Sequence, residues 1–232
     1  MPRIARVVIP SIPHHIIQRG NRGLQTFFNV SDYQNYKKLL YDWSQKEGIK
    51  ILAYCLMTNH IHIIGIPDTV RSFERGIGEV HRRYACLVNF RSGWQGHLWQ
   101  ERFHSYPMDE AHLYEAVRYI ELNPVKAKLV SSPEKYLWSS APSRVSTKKD
   151  PLLASDRIFP IDNWRKYWQE GIDRLSAAEI ESHARTGRPF GSDEFIQKLE
   201  ILSGRSLTCQ RRGRKPSPTT VTQKGIEYTV PN

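Results

Sequence analysis

The sequence predicts an α+β fold in which helices cover one antiparallel sheet, and three observations support this class. Short apolar runs with strand-like alternation and longer runs with helical spacing follow one another along the chain. Two predicted strands, at residues 49–57 and 60–66, are separated by only two residues, which favours an antiparallel hairpin. The predicted order is strand, helix, strand, strand, helix, strand, with one more helix appended. That order is typical of a ferredoxin-like sandwich.

The first predicted strand covers residues 13–19 and ends at the turn-forming run Gly20-Asn21-Arg22-Gly23. The next helix is predicted to start near Ser31-Asp32, which can cap it, and to end at Gly48. Its apolar residues recur at helical spacing: Tyr33, Tyr36, Leu39, Leu40 and Trp43.

The second half of the predicted domain begins with a helix from about Val70 to Phe90 and a short strand around residues 103–106. Asp109 can cap the appended helix, predicted over residues 110–122. Pro124 is expected to end it, because proline has no amide hydrogen and clashes with the preceding turn. The apolar stripe of this helix consists of Leu113, Ala116, Val117 and Ile120.

Composition divides the chain into three segments. Residues 1–145 are expected to form the sandwich and its appended helix, and the Ser-, Pro- and Lys-rich run 131–151 to be a wrapping segment or linker. Residues 146–204 are expected to form a small helical C-terminal extension, and the basic, polar residues 205–232 a disordered tail. The predicted helices of the extension are at 164–168, 177–185 and 190–202, with Ser192 as a cap.

Charge, hydropathy and cysteine content restrict the kinds of binding partner and the cellular compartment to be expected. The 34 Lys and Arg outnumber 23 Asp and Glu, giving a net charge of +11, which favours nucleic acid. No apolar run approaches the roughly 20 residues that a membrane span needs, and the N-terminus lacks signal-peptide features. The three cysteines are far apart, so neither a zinc finger nor a disulfide framework is expected. These features predict a cytoplasmic protein without a membrane partner.

A metal site is predicted around His60-Ile61-His62 in the third strand. Side chains alternate faces along a strand, so His60 and His62 point one way while Ile61 and Ile63 point into a core. Neutral imidazole is a common metal ligand, and two on one face supply half of a divalent-metal site. With amide and phosphate oxygens completing the shell, Mg²⁺ or Mn²⁺ fits best. Two polar residues on a solvated sheet face are the alternative interpretation.

Tyr119 and Asn123 are four residues apart and so share one face of the appended helix. Asn123 offers a carbonyl oxygen as a third ligand, although its place before Pro124 disfavours helical geometry. Tyr119 is the candidate nucleophile, because a metal can polarise the phosphate that its phenol attacks. Tyr114 is the rival, but Arg118 rather than an amide stands four residues after it. A half-buried tyrosine with no catalytic part is the simpler alternative.

Several basic and aromatic side chains are predicted to contact a phosphate chain. The loop from Gly20 to Gly23 can let backbone amides and guanidinium groups approach phosphate, and the aromatics interleaved with cations near residue 100 suit base stacking. At least one of Trp99 and Phe103 is expected to lie in the core instead. The predicted DNA contacts are Arg19, Asn21, Arg22, Arg75, Arg82, Arg83, Trp99 and Arg102. There is no phosphate-binding loop or dinucleotide fingerprint, so no nucleotide cofactor is expected.

Four fragments occur in an order that resembles the REP-associated tyrosine transposases, bacterial relatives of the insertion-sequence transposases with a His-hydrophobe-His pair and a single tyrosine. The fragments are Gln18-Arg19-Gly20-Asn21-Arg22, Leu56-Met57-Thr58-Asn59-His60-Ile61-His62, residues 96–103 and residues 118–127. One departure is Thr58, which stands where proline is expected. The resemblance covers about residues 13–140.

The resemblance implies a ferredoxin-like catalytic domain that cuts single-stranded DNA, often near the foot of a hairpin. It implies that His60, His62 and Asn123 bind the metal, and that Tyr119 forms a 5′-phosphotyrosine link and frees a 3′-hydroxyl. A new 3′-hydroxyl then reverses the reaction without ATP. Such a protein could act as a monomer or a homodimer.

Three other functions compete with a DNA nickase and strand transferase. A domesticated copy could bind palindromic repeats without cutting them, although all the motif residues are present. An RNA-binding module would need neither Tyr119 nor the histidine pair. A replication initiator or relaxase with the same metal motif would usually be larger than this 232-residue chain.

Overall fold

A four-stranded antiparallel sheet forms the centre of the fold, which confirms the predicted α+β sandwich. The computed structural model describes residues 6–154, 159–171, 174–207, 221–223 and 226–228. The sheet strands are β1 (His14–Arg19), β2 (Ile49–Leu56), β3 (His60–Pro67) and β4 (His104–Pro107). They lie in the order β2-β3-β1-β4, and every neighbouring pair is antiparallel.

Helices cover both faces of this sheet. Helices α1 (Val30–Lys46) and α3 (Ile77–Ser92) pack on one face, whose core includes Ile61 and Ile63. Helix α4 (Glu110–Lys126) packs on the other face, whose core includes Ile64. The alternation predicted for residues 60–63 is therefore confirmed: Ile61 and Ile63 enter the α1/α3 core, and His60 and His62 lie on the α4 side.

Two helices differ from the prediction, one at its start and one by a break in its interior. Helix α1 begins at Val30, because Asn29 rather than Ser31 or Asp32 caps it. The predicted helix over 70–90 is broken at Gly76 into α2 (Ser72–Arg75) and α3. At Gly76 a side chain would meet Ile49 Cδ1 at 2.5 Å, so the break lets the backbone approach β2 closely.

Pro124 lies inside α4 and does not end it, contrary to the prediction. The turn that contains the proline is held by later amides. The Ala127 N–H donates to the Asn123 carbonyl and the Leu129 N–H to the Pro124 carbonyl, each at 2.9 Å. Asn123 therefore keeps a helical position one turn after Tyr119.

The residues after α4 wrap around the sheet. Backbone hydrogen bonds join the outer strand β2 to the wrapping segment at Trp138 and Ser140, and the outer strand β4 to Phe190. The helices of this region are α5 (Ala141–Val145), α6 (Trp164–Gln169), α7 (Arg174–Thr186) and α8 (Asp193–Ser203), the last capped by Ser192 as predicted. Within the described residues, no helix has the length and apolar character of a membrane span.

Most of the tail predicted to be disordered lies outside the described residues. The described pieces are residues 205–207, β5 (Val221–Gln223) and β6 (Ile226–Tyr228), and the two strands pair with each other in an antiparallel manner.

Candidate functional site

The histidine pair lies at the end of β3 nearest the loop that follows β1. Directly opposite residues of an antiparallel pair share a face, so Arg19 stands beside His60, and Ile17 beside His62. The imidazole rings of His60 and His62 are 5.0 Å apart between centroids. The structure thus brings the two predicted ligands together on the α4 side of the sheet.

Both imidazoles are neutral at physiological pH. Burial, helped by the charge of Arg19, lowers the pKa of His60 to about 4. Burial also lowers the pKa of His62 well below its ordinary value, and the neighbouring His60 adds to that effect. A metal ion needs the unprotonated form of imidazole, so this environment suits ligands.

Hydrogen bonds at Nδ1 orient both rings. The Asn59 amide nitrogen donates to the Gly23 carbonyl at 3.0 Å, which turns its oxygen toward His60 Nδ1, 2.7 Å away. His60 Nδ1 therefore carries the proton, and Nε2 keeps a free lone pair. His62 Nδ1 lies 2.9 Å from His15 Nε2.

A buried chain of hydrogen bonds determines which nitrogen atom donates in the bond between His62 and His15. The Tyr106 hydroxyl donates to the Ile180 carbonyl at 3.4 Å, so it accepts from His15 Nδ1, 2.7 Å away. His15, whose pKa burial lowers to about 3, then accepts at Nε2 from His62 Nδ1. This assignment, made from the hydrogen-bond pattern, leaves Nε2 of His62 free as well.

Tyr119 on α4 faces this pair. Its ring is buried and meets the His62 ring edge to face, with centroids 5.8 Å apart. The Asn123 side-chain nitrogen donates to the Tyr119 carbonyl at 3.2 Å, so the amide stays on the face of the helix that carries the tyrosine. The structure therefore places Tyr119 next to the histidine pair, with Asn123 one turn farther along the same face of α4.

The Tyr119 hydroxyl donates to the Glu181 carboxylate of α7 at 3.2 Å. Burial, together with the neighbouring Glu181, raises the pKa of Tyr119 to about 12, although a hydrogen bond from Asn123 and the charge of Arg19 work in the opposite direction. The ammonium group of Lys126 lies 4.7 Å from the centre of the tyrosine ring. The phenol is thus protonated at neutral pH in the free protein.

The rival tyrosine lies elsewhere. The Tyr114 ring packs against Phe159, with centroids 5.7 Å apart, and its carbonyl accepts from the Tyr167 hydroxyl. Neither contact involves the histidine pair, so the arrangement favours Tyr119.

The residues present fit a divalent metal. Two neutral imidazoles with free Nε2 atoms share one face, and their Nδ1 atoms are held by partners, the pattern of metal-binding histidines. Among the described residues, no group of three or more His, Cys, Asp or Glu converges in a way that could hold a metal. The Asn123 amide, one turn after Tyr119 on α4, is a residue of another type that fits as a third ligand.

The loop after β1 lies beside the histidines. The Gly20 N–H donates to the Asn59 carbonyl at 2.8 Å and the Asn21 N–H to the Leu98 carbonyl at 2.8 Å. Arg22 adopts a left-handed conformation, with φ of 56°. Arg19 and Arg22 are exposed, so their guanidinium groups can reach a phosphate near the site.

The other predicted DNA contacts lie away from the histidine pair. On α3, Arg82 and Arg83 both pair with Glu79. Arg82 and Arg102 line a cavity of 1330 Å³ on the α3 side of the sheet, and Arg75 is exposed on α2. Trp99 is only 7% exposed and its indole N–H donates to the His81 carbonyl, so the expected base stacking on Trp99 conflicts with its place in the core.

Four residues at the site had no assigned role in the sequence interpretation. His15 could have been found from the antiparallel register, because it lies opposite Ile64 and therefore diagonally from His62 on the same face. Lys126 follows Asn123 by three residues and so shares its face of the helix. Tyr106 and Glu181 reach the site through tertiary contacts that leave no local pattern.

Comparisons with known proteins agree with this fold. Residues 9–123 match the family model described as "Transposase IS200 like". No curated protein matches the chain significantly. One similar solved structure is a REP-associated tyrosine transposase bound to a REP hairpin, with 20% identity and a TM-score of 0.53 over 67% of this chain and 93% of that chain. Another is a putative transposase from Deinococcus radiodurans, with 20% identity and a TM-score of 0.36 over 52% of this chain and 96% of that chain.

Fold and family model together define the class of the protein, a transposase. The chain belongs to the IS200-like transposase family, through matched residues that include the histidine pair, Tyr119 and Asn123. The family resemblance inferred from the four sequence fragments is confirmed.

Proposed function

We propose that this protein is a metal-dependent nickase and strand transferase that cuts single-stranded DNA through Tyr119. The observation that supports the proposal most directly is the contact between the Tyr119 and His62 rings, with centroids 5.8 Å apart. A protonated phenol is a poor nucleophile unless the phosphate it attacks is polarised. The two oriented, neutral imidazoles beside the tyrosine would hold a metal ion that supplies this polarisation.

His60, His62 and Asn123 would hold Mg²⁺ or Mn²⁺, the imidazoles through Nε2 and the amide through its oxygen. When bound, the ion supplies a Lewis acid that polarises the scissile phosphate. His15 and Asn59 hold the imidazoles in the tautomer that ligation needs. Imidazole ligation favours Mn²⁺ over Mg²⁺.

In the first step the Tyr119 oxygen attacks phosphorus and the bond to the 3′ oxygen breaks. The products are a 5′-phosphotyrosine link and a free 3′-hydroxyl. In the second step a new 3′-hydroxyl attacks the same phosphorus and releases Tyr119. The energy of the phosphodiester bond is kept in the covalent link, so no nucleotide cofactor is required.

The proposed substrate is single-stranded DNA next to a hairpin. A REP hairpin is bound in the solved structure of similar fold, and this chain has a net charge of +11. Arg19, Asn21 and Arg22 would hold the phosphates nearest the histidine pair, because they stand in the loop beside it. Arg75, Arg82, Arg83 and Arg102 would contact the backbone farther away, and such contacts give affinity without sequence preference.

The test is covalent capture of labelled DNA. The protein is incubated with a labelled hairpin-bearing single strand from the flanks of its own gene and Mn²⁺ or Mg²⁺, and the products are resolved on a denaturing protein gel. We expect a labelled protein band that is lost with EDTA and with Tyr119→Phe. DNA binding in a gel shift without any such band would contradict cutting and favour a non-catalytic protein that binds palindromic repeats.

A further inference from the structure

Helix α7 brings a carboxylate to the reacting atom of the proposed nucleophile. The Tyr119 hydroxyl donates to Glu181 Oε1 at 3.2 Å. Glu181 lies beyond residues 9–123, the part of the chain that matches the family model. Tyr119 is buried and Glu181 is exposed, so the carboxylate reaches the hydroxyl from the solvent side.

The core fixes the position of this carboxylate. Ile180, the preceding residue, is fully buried, and its carbonyl accepts from the Tyr106 hydroxyl. Farther along α7, the His183 ring stacks on Phe190 with centroids 4.5 Å apart. Glu181 is therefore held by packing on both sides of it along the helix, and its distance to Tyr119 does not depend on a swinging loop.

The proposed reaction needs a group that accepts the proton of Tyr119. A phenol is protonated at neutral pH, and a neutral tyrosine oxygen cannot complete its bond to phosphorus without losing that proton. His60 and His62 are unsuited to this role, since the proposed metal uses their free lone pairs. Lys126 lies over the ring as a cation and offers no lone pair while protonated.

We infer that Glu181 accepts the proton of Tyr119 as the tyrosine oxygen attacks the phosphate, and this inference rests on the proposed function. The new bond joins Tyr119 Oη to phosphorus, and the bond that breaks joins phosphorus to the 3′ oxygen. The tyrosine proton moves to the Glu181 carboxylate, and the departing 3′ oxygen takes a proton from solvent. In the second step a new 3′-hydroxyl bonds to phosphorus and gives its proton to solvent. The bond between phosphorus and Tyr119 Oη breaks, and the protonated Glu181 returns its proton to Tyr119.

The first test compares Glu181→Gln with Glu179→Gln in the full chain. Glutamine keeps the size of the side chain and an oxygen that can accept the hydroxyl hydrogen bond, but it cannot take up a proton. Glu179 is exposed on the same helix and serves as the matched control. With Mn²⁺ and the labelled hairpin strand, we expect Glu181→Gln to slow formation of the covalent adduct by about 100-fold or more, and Glu179→Gln to leave it unchanged.

The second test separates proton transfer from positioning. A fluorinated tyrosine at position 119 has a more acidic phenol and needs less help from a base. We expect it to reduce the difference in rate between the original chain and the Glu181→Gln variant by about tenfold. If Glu181→Gln slows adduct formation by the same factor with ordinary and with fluorinated tyrosine, the inference is overturned. Glu181 would then have only a structural role.

Other outcomes are equally decisive. Adduct formation by Glu181→Gln at the original rate, or faster, would overturn the inference while the proposed function stands. Absence of any adduct with the unchanged chain would overturn both. Gel-shift binding of the hairpin and the thermal unfolding midpoint are measured for each variant. Equal values show that slower adduct formation does not result from misfolding.

Discussion

His62 Nδ1 and His15 Nε2 lie 2.9 Å apart in the buried core, although the two residues are 47 positions apart in the chain. The bond joins β1 to β3 and continues through Tyr106 to the Ile180 carbonyl of α7. One proposed metal ligand is therefore oriented by residues of two strands and a helix. The site depends on the whole fold rather than on the His-x-His motif alone.

Replacing His15 should lower the affinity for the metal ion without abolishing DNA cutting. His15→Phe keeps a ring in the core but removes the acceptor for His62 Nδ1, and loss of such a partner typically costs 10–100-fold in metal affinity. We expect the Mn²⁺ concentration for half-maximal cutting to rise by about that factor. A titration of cutting rate against Mn²⁺ measures this concentration. An unchanged midpoint would show that the hydrogen bond from His62 to His15 does not affect metal affinity.

Replacing His60 should remove cutting and spare DNA binding. Because a Lewis acid contributes several kcal/mol, His60→Ala should slow cutting by roughly 100-fold or more. Hairpin affinity in a gel shift should change little, since the proposed phosphate contacts come from arginines. His104→Ala, on the same face of the sheet, is the matched control. Cutting by His60→Ala at the rate of the control would refute the metal assignment.

Replacing Tyr119 and replacing Tyr114, the two tyrosines of α4, should have different effects on DNA cutting. Tyr119→Phe should form no covalent adduct, because the nucleophilic oxygen is gone. Tyr114→Phe should keep cutting, because the Tyr114 ring packs on Phe159, away from the histidines. The denaturing gel assay distinguishes them. An active Tyr119→Phe beside an inactive Tyr114→Phe would reverse the assignment.

Stability should fall as the pH drops below about 6.5, the ordinary pKa of histidine. His14 and His15 are fully buried, and burial lowers the pKa of His14 to about 4 and that of His15 to about 3. Between those values and 6.5 the unfolded chain binds more protons, so protonation favours unfolding. Each histidine should contribute up to about 1.4 kcal/mol per pH unit to the loss.

Urea unfolding at several pH values between 7.5 and 5 measures this slope. His14→Gln should reduce it, whereas His97→Gln, at an exposed position, should leave it unchanged. A free energy of unfolding that stays constant over this range would contradict the prediction.

The ion pair between Asp32 and Arg91 should stabilise the packing of α1 on α3. The Asp32 carboxylate is fully buried, and it also accepts from the Phe28 N–H at 2.8 Å. Asp32→Ala leaves these donors without their acceptor, so we expect a loss of about 3 kcal/mol in the free energy of unfolding. Asp42→Ala, which breaks the exposed pair with Lys38, should change it little.

The contribution of Asp32 to the free energy of unfolding depends on pH. Hydrogen bonds from Arg91 and from the backbone amides of Phe28 and Asn29 outweigh burial and hold the pKa of this carboxyl below its usual range. Its stabilisation is therefore fully present above about pH 4 and is lost as the pH falls through the lowered value. A difference between the original chain and Asp32→Ala that persists unchanged at pH 2 would refute the assignment.

Local patterns predicted the parts of the site that lie within one element. Period-two alternation placed His60 and His62 on one face, and helical spacing placed Tyr119 and Asn123 together. Glu181 could not be predicted, because 62 residues separate it from Tyr119 and nothing in its neighbourhood marks it. The expectation that Pro124 ends α4 was wrong, since one missing amide in the last turn is offset by later hydrogen bonds.

The backbone bonds at Trp138, Ser140 and Phe190 have a consequence for self-association. Both outer strands of the sheet already bond to backbone of the same chain at one end, so the edge that is open to a second molecule is shortened. Extension of the sheet from one copy to the next is therefore disfavoured, both in a native dimer and in an aggregate.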